Sequence, residues 1–269
     1  MTLLIKKDKK TPAIWFIKKN KLEMKKSIVV IIILFALSHS GFSQNKTYIG
    51  GEFAMTGDIY DIIDPCQLIT TTPLITGSWG FTIGQEINKN FLVETGLIRK
   101  YYDEGFGYNF ESIIQGTSSN AFNTWQIPLR LKSRINLLKD KLFITTTIGY
   151  HFSINTEYGY GGGAGGGSVV NGNDTISVNY IKNDLTSKTF SLIETGIGFE
   201  FAAFDGLIFS LSSSYYTGFK KVYQMNMTTE DNNCSSDNVF GISKGGYWNI
   251  AFGIKYAISN LWRKRNNGR

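Results

Sequence analysis

The sequence predicts an all-β chain: an eight-stranded antiparallel transmembrane β-barrel, preceded by a cleavable signal peptide. Three observations predict it. Between Tyr48 and Ile258, eight stretches of about ten residues carry apolar side chains at every second position, as in a strand with one lipid face and one polar face. The gaps between them run long, short, long, short, long, short, long, so every long connection falls at one end. Charge then segregates: ten charged residues fall on the polar face and only Arg99, near a strand end, on the apolar face. An Arg or Lys facing lipid costs about 2–4 kcal/mol at the bilayer midplane, so insertion requires this sorting. A soluble barrel would put its apolar face inside.

The first 26 residues hold nine lysines against Asp8 and Glu23, and these account for the whole net charge of +7. The remainder is neutral, so the basic composition gives no footing for a nucleic-acid partner. Residues 1–23 read as an over-extended start or a long n-region. A signal peptide follows over 24–43, with Lys25 and Lys26, an apolar core from Ile28 to Leu37, and small residues before a cleavage between Ser43 and Gln44. That core is shorter than the roughly 20 residues a membrane-spanning helix needs. The barrel is expected over 44–262 and a basic tail over 263–269.

The strands are read at 46–57, 73–88, 91–104, 123–138, 142–156, 188–202, 206–221 and 246–259. Asn88-Lys89-Asn90, Lys139-Asp140-Lys141 and Phe204-Asp205-Gly206 supply turn residues at hairpin spacing. Long connections are expected at 58–72, 105–122, 157–187 and 222–245. Pro128 falls inside the fourth strand, where it should cost one ladder bond without shifting the register. The last strand alternates most clearly, with Trp248, Ile250, Phe252, Ile254, Tyr256 and Ile258 on one face. In the third long connection, Gly161 to Gly167 is a low-complexity run without the lysine or the strand–helix setting of a phosphate loop. Thr175 to Ile181 alternates weakly, which leaves open an extension of the fifth and sixth strands above the membrane as a hairpin, and a count of ten strands.

Aromatic side chains gather near strand ends on the apolar face. Tyr101, Trp125, Tyr215, Phe219 and Trp248 mark the outer interface, and Phe91, Phe201, Tyr256 and Trp262 the periplasmic one. The polar face carries Glu52, Glu86, Glu94, Lys100, Arg130, Lys132, Arg134, Glu194, Glu200 and Lys255. An eight-stranded interior is just wide enough for side chains to fill, so these charges should pair and plug the lumen. His151, beside Ser153, is the one histidine after the signal segment and the single candidate for catalysis. Cys66 and Cys234 fall in the first and last long connections, which closure of the barrel brings to one seam, so a disulfide is expected. Two cysteines and one histidine do not make a zinc site, and no metal or cofactor is expected.

The run Trp125-Gln126-Ile127-Pro128-Leu129-Arg130-Leu131-Lys132 resembles the signature strand of the PorT-like outer-membrane β-barrel domain family, a group of small Gram-negative barrels. Gly41-Phe42-Ser43-Gln44 and Gly253-Ile254-Lys255-Tyr256 are similar to the same group. The resemblance implies an integral outer-membrane protein in contact with membrane lipid and the barrel-assembly machinery, without implying one activity. The expectation is a non-enzymatic barrel whose extracellular loops serve binding, adhesion, or an envelope or secretion assembly. The alternatives are a narrow porin-like channel and, less favoured, a lipid- or peptide-acting enzyme using His151.

Overall fold

A computed structural model describes residues 46–110, 113–139, 141–156, 165–171, 174–204 and 206–258. The expected signal peptide, the Ser43–Gln44 junction, Trp262 and the basic tail lie outside the described residues. Eight strands form a ring: β1 (Thr47–Ile63), β3 (Ile75–Asn88), β4 (Phe91–Phe110), β5 (Ile113–Leu138), β6 (Leu142–Asn155), β9 (Thr189–Phe204), β10 (Leu207–Gly218) and β12 (Ser235–Ala257). The last strand, β12, pairs antiparallel with β1 from Tyr48↔Ala257 upward and closes the barrel. Closure removes the free strand edge that lipid could not tolerate.

Residue alternation sets which face meets the membrane. Along β12, Trp248, Ile250, Phe252 and Ile254 are exposed while Asn249, Ala251 and Gly253 between them are buried. Phe81 and Ile83 on β3, Leu129 and Leu131 on β5, and Ile197 and Phe199 on β9 continue the exposed belt around the ring. An apolar surface on this scale belongs against lipid.

Crossing a bilayer takes about 9–11 residues per strand, yet β4 has 20, β5 has 26 and β12 has 23. The surplus rises at the end opposite the three tight turns and builds a crown. A bulge directs it. Ile59 pairs with Gly246 but Tyr60 with Ser243, so Lys244 and Gly245 stand out of the ladder, and Gly245 has φ 74°, a left-handed value that glycine takes without strain. Below the bulge β12 pairs with β10; above it, with β11 (Tyr223–Glu230). Beside β11 lie β8 (Asp174–Leu185) and then β7 (Gly165–Asn171). Across the mouth, β4 and β5 extend as one long hairpin, and β2 (Ile69–Pro73) adds to β4.

The four long connections are therefore largely strand, not loop. The β7–β8 hairpin stays outside the ring, so the barrel has eight strands and not ten. Above the lipid the alternation persists but its sense reverses. Tyr223, Met225 and Met227 of β11, and Ile176 and Val178 of β8, turn inward to share a core with Leu68, Ile69, Phe122 and Val239. Pro128 leaves the register unchanged. Thr95↔Leu129 and Ile98↔Gln126 keep one register on either side of it, and the β6 ladder runs unbroken through Pro128↔His151. The Thr95 hydroxyl donates to the Pro128 carbonyl at 2.7 Å.

Candidate functional site: a sealed lumen beneath an ordered crown

From the short-turn end upward, the lumen is filled in layers. Tyr48, Leu92, Ile208 and Ala257 make an apolar floor. Arg134 of β5 sits just above, its Nε donating to Glu200 at 2.6 Å and its Nη1 to Glu86 at 2.8 Å. The Tyr48 hydroxyl donates to the same Glu86 oxygen at 2.5 Å. Lys255 of β12 crosses the barrel to Glu94 (2.6 Å) and Glu200 (3.1 Å), while Lys132 reaches Glu94 at 2.8 Å.

Arg130 is the central strut. Its Nε donates to Glu194 at 2.7 Å, and its Nη1 to Glu52 at 2.7 Å and Glu94 at 3.2 Å. It thereby ties β5 to β9 and β1, strands that do not pair with it in the ring, as well as to its direct neighbour β4. Gly149 makes room for it: a Cβ there would lie 2.9 Å from a Glu194 carboxylate oxygen and 3.1 Å from Arg130 Cγ. Glu194 also accepts from Ser214 at 3.0 Å and lies 2.6 Å from His151 Nε2.

The next layer is aromatic and polar. Tyr216 and Tyr247 stack with ring centres 4.0 Å apart, and Tyr102 meets Tyr247 edge-on. The Tyr247 hydroxyl donates to Gln126 (2.9 Å), and the Tyr102 hydroxyl to the Gly245 carbonyl at the bulge (2.9 Å). Lys100 is wholly buried here. It pairs with Asp58 at 2.7 Å, donates to the Tyr101 carbonyl, and stands 4.1 Å from the centre of the Tyr102 ring. The crown core then closes the top.

Of the ten charged residues named from the sequence, the structure joins nine in one connected set and places Lys100 in a separate pair. Sequence reasoning missed Asp58, which stands in a stretch read as loop, and the tyrosine layer. Its signal was Tyr60 and Asp58 continuing the inward phase of the first strand. Cys66 and Cys234 are joined, with Cα atoms 5.9 Å apart, linking the β1–β2 connection to the β11–β12 turn. Asp64 fixes the first of these by accepting from the Cys66, Leu68 and Ile69 amides (2.8–3.1 Å) and from Thr229 of β11 (3.2 Å).

Opposite the struts, the β10 and β12 wall carries Ser210, Ser212, Ser214, Ala251 and Gly253, leaving a polar cavity of ≈ 20 Å³. That is room for about one water. His151 is wholly buried, one ring nitrogen on Glu194 and the other without a partner; the Ser153 hydroxyl beside it is also unpartnered. The ring thus engages Glu194 and, among the described residues, no nucleophile. Among the described residues no cluster of His, Cys, Asp and Glu has metal-binding geometry.

Fold and lumen together define an integral β-barrel of the bacterial outer membrane. No family model and no curated protein matches the chain. Among solved structures, Neisserial surface protein A is similar at 10% identity, with 78% of this chain and 96% of that one covered and a TM-score of 0.43. The outer membrane protein OprG from Pseudomonas aeruginosa is similar at 11% identity, covering 79% and 96%, with a TM-score of 0.42. The N-terminal β-barrel domain of Pseudomonas aeruginosa OprF gives 9%, 79%, 98% and 0.36. The strand pairing itself, not these likenesses, carries the fold assignment.

Proposed function

We propose that this protein is a non-enzymatic outer-membrane barrel whose crown binds a partner, as an adhesive surface or as a component of an envelope or secretion assembly. One observation carries the reading. The lumen is crossed by ion pairs at several heights and covered by the Leu68–Tyr223–Val239 core, so the accessible built surface is the crown. The crown is also costly to maintain for a mere connector, since it takes four extra strands, a buried core and a cross-link. A rigid scaffold presenting outward segments is the usual arrangement for recognition. Catalysis by His151 is disfavoured by its burial against Glu194 and Tyr216.

The serine-lined cavity favours one second reading, a narrow channel. Two measurements separate them. Photo-crosslinking from exposed crown positions such as Ser168, Val170 and Asn238 in intact cells should capture an envelope or surface partner. The purified mature protein should give no discrete conductance steps in planar bilayers; steps that persist in a crown-deleted variant would replace the binding reading with the channel.

A further inference from the structure

We infer that the outer rim of the barrel carries a binding site for phosphate-bearing lipid headgroups of the outer leaflet, formed by Lys188, Lys220, Lys221 and Lys244. These lysines are distant in sequence but the crown's entry geometry gathers them. Lys220 and Lys221 form the turn between β10 and β11. Thr186, two residues before Lys188, donates its amide to the Val222 carbonyl (2.8 Å) and its hydroxyl to the Lys221 carbonyl (2.9 Å). Val222 in turn donates to the Ser243 carbonyl at 2.8 Å, which sets Lys244 alongside. Lys244 is the bulged residue of β12, and its backbone abuts Gly218 at the end of β10.

All four side chains are exposed, and among the described residues none forms an ion pair. Lys221 donates to Gln224 at 2.5 Å, and two carboxylates flank the group: Asp184, paired in register with Gln224, and the exposed Asp61 of β1, paired with Ile242 of β12. The other acids of β11 and its turn, Glu230 and Asp231, stand at the far tip of that strand. Seven residues beyond Tyr223, at about 3.3 Å each, removes Glu230 from the rim by more than 20 Å.

Height identifies the ligand. Tyr215, Phe219 and Trp248 are exposed on the lipid face of β10 and β12, marking the outer interface. Lys220 follows Phe219 directly, and Lys244 lies beyond Trp248, separated from it by Gly245, Gly246 and the inward Tyr247. Four ammonium groups at the level where aromatic rings meet headgroups match anionic groups fixed in the membrane plane. Ammonium–phosphate contacts are charge-assisted and strong, and long lysine stems reach the interface by lying along apolar surface. The lipid proposed is a phosphorylated glycolipid headgroup, not a soluble anion. The inference needs only the outer-membrane placement, so it stands or falls independently of what the crown binds.

The test uses the full mature protein in detergent, probed by native mass spectrometry with diphosphoryl lipid A and with the same lipid after phosphate removal. Wild type should prefer the phosphorylated lipid at least tenfold. Replacing all four lysines by Gln should abolish that preference, with folding verified by heat-modifiable migration; the milder K220Q/K221Q pair should weaken it. The four-Arg variant should retain it. A control changing the short-turn lysines Lys89, Lys139 and Lys141 to Gln should leave it intact. The inference is overturned if the four-Gln protein keeps the preference, if the control loses it equally, or if millimolar inorganic phosphate displaces the lipid.

Discussion

Substituting Arg130 by Met tests whether the lumen charges are struts or decoration. Met approximates the length of the side chain, so the change removes charge and donors while leaving little void. Three carboxylates lose a partner, but not equally. Glu94 keeps Lys132 and Lys255, and Glu194 keeps the Ser214 hydroxyl and His151. Glu52 has no second cation among the described ion pairs, and it is 15% exposed. Breaking a buried pair by removing one partner costs about 3–5 kcal/mol, because the remaining charge has lost both its water and its counter-ion. The expected loss is therefore about 3 kcal/mol, the lower end, since Glu52 keeps partial access to water. Lys132→Met is the comparison. It leaves Glu94 with two cations, so about 1 kcal/mol, the loss of one charge-assisted bond with its acceptor still satisfied, is expected. The assay is urea unfolding of the barrel in phosphocholine vesicles, followed by tryptophan fluorescence with folding and unfolding branches made to coincide. Adding Glu52→Gln to Arg130→Met should recover part of the loss, a coupling of roughly 1–3 kcal/mol for groups in direct contact. An Arg130→Met protein within about 0.5 kcal/mol of wild type, or indistinguishable from Lys132→Met, would mean that water reaches these groups freely and the lumen is not sealed.

Gly149→Val should destabilise the same assembly by about 1–3 kcal/mol, the usual cost of overpacking, because its Cβ would press on Glu194 and Arg130; unchanged urea midpoints would contradict the packing described. Peptide mapping without reduction should recover Cys66 and Cys234 as one linked species, and reduction should speed proteolysis of the crown while leaving the barrel folded; free alkylation of both thiols would refute the cross-link. Mass spectrometry of protein extracted from membranes should find Gln44 at the N-terminus, and retention of residues 24–43 would count against export by a cleaved signal.

The transmembrane half of the molecule was legible from sequence because lipid imposes a strict rule. A strand there must show apolar side chains outward at every second residue, and Trp248, Ile250, Phe252 and Ile254 obey it without exception. Charge follows the complementary rule: a charged side chain of a spanning strand goes to the lumen or, like Arg99 beside Trp125 near a strand end, to the headgroup level. Which charges pair was not legible. Arg130 meets residues 36, 64 and 78 positions away, and those contacts depend on the stagger of strands around the ring.

The crown was misread as loop for a reason that also explains its design. Its alternation is as regular as that of the barrel: Tyr223, Met225 and Met227 are buried with Gln224 and Asn226 between them. The polarity is reversed, because water replaces lipid outside and the apolar side chains must find one another. A search for apolar-out strands discards such a segment. β12 spans the boundary, with Trp248 facing out towards lipid and Val239 facing into the crown core. Between them lies the Lys244–Gly245 bulge, which reorients the strand and transfers its pairing from β10 to β11. A bulge of two residues does not by itself exchange the faces, since a shift by two restores the phase. Above it Ser243, Gly241 and Val239 still face inward, Val239 joining the crown core, while Ile242 and Phe240 point outward half-buried and Asn238 is exposed. The membrane boundary is thus marked twice, by the bulge in β12 and by the inward apolar face of its partner β11. Their coincidence at the height of Phe219 and Trp248 fixes where lipid ends and the crown begins.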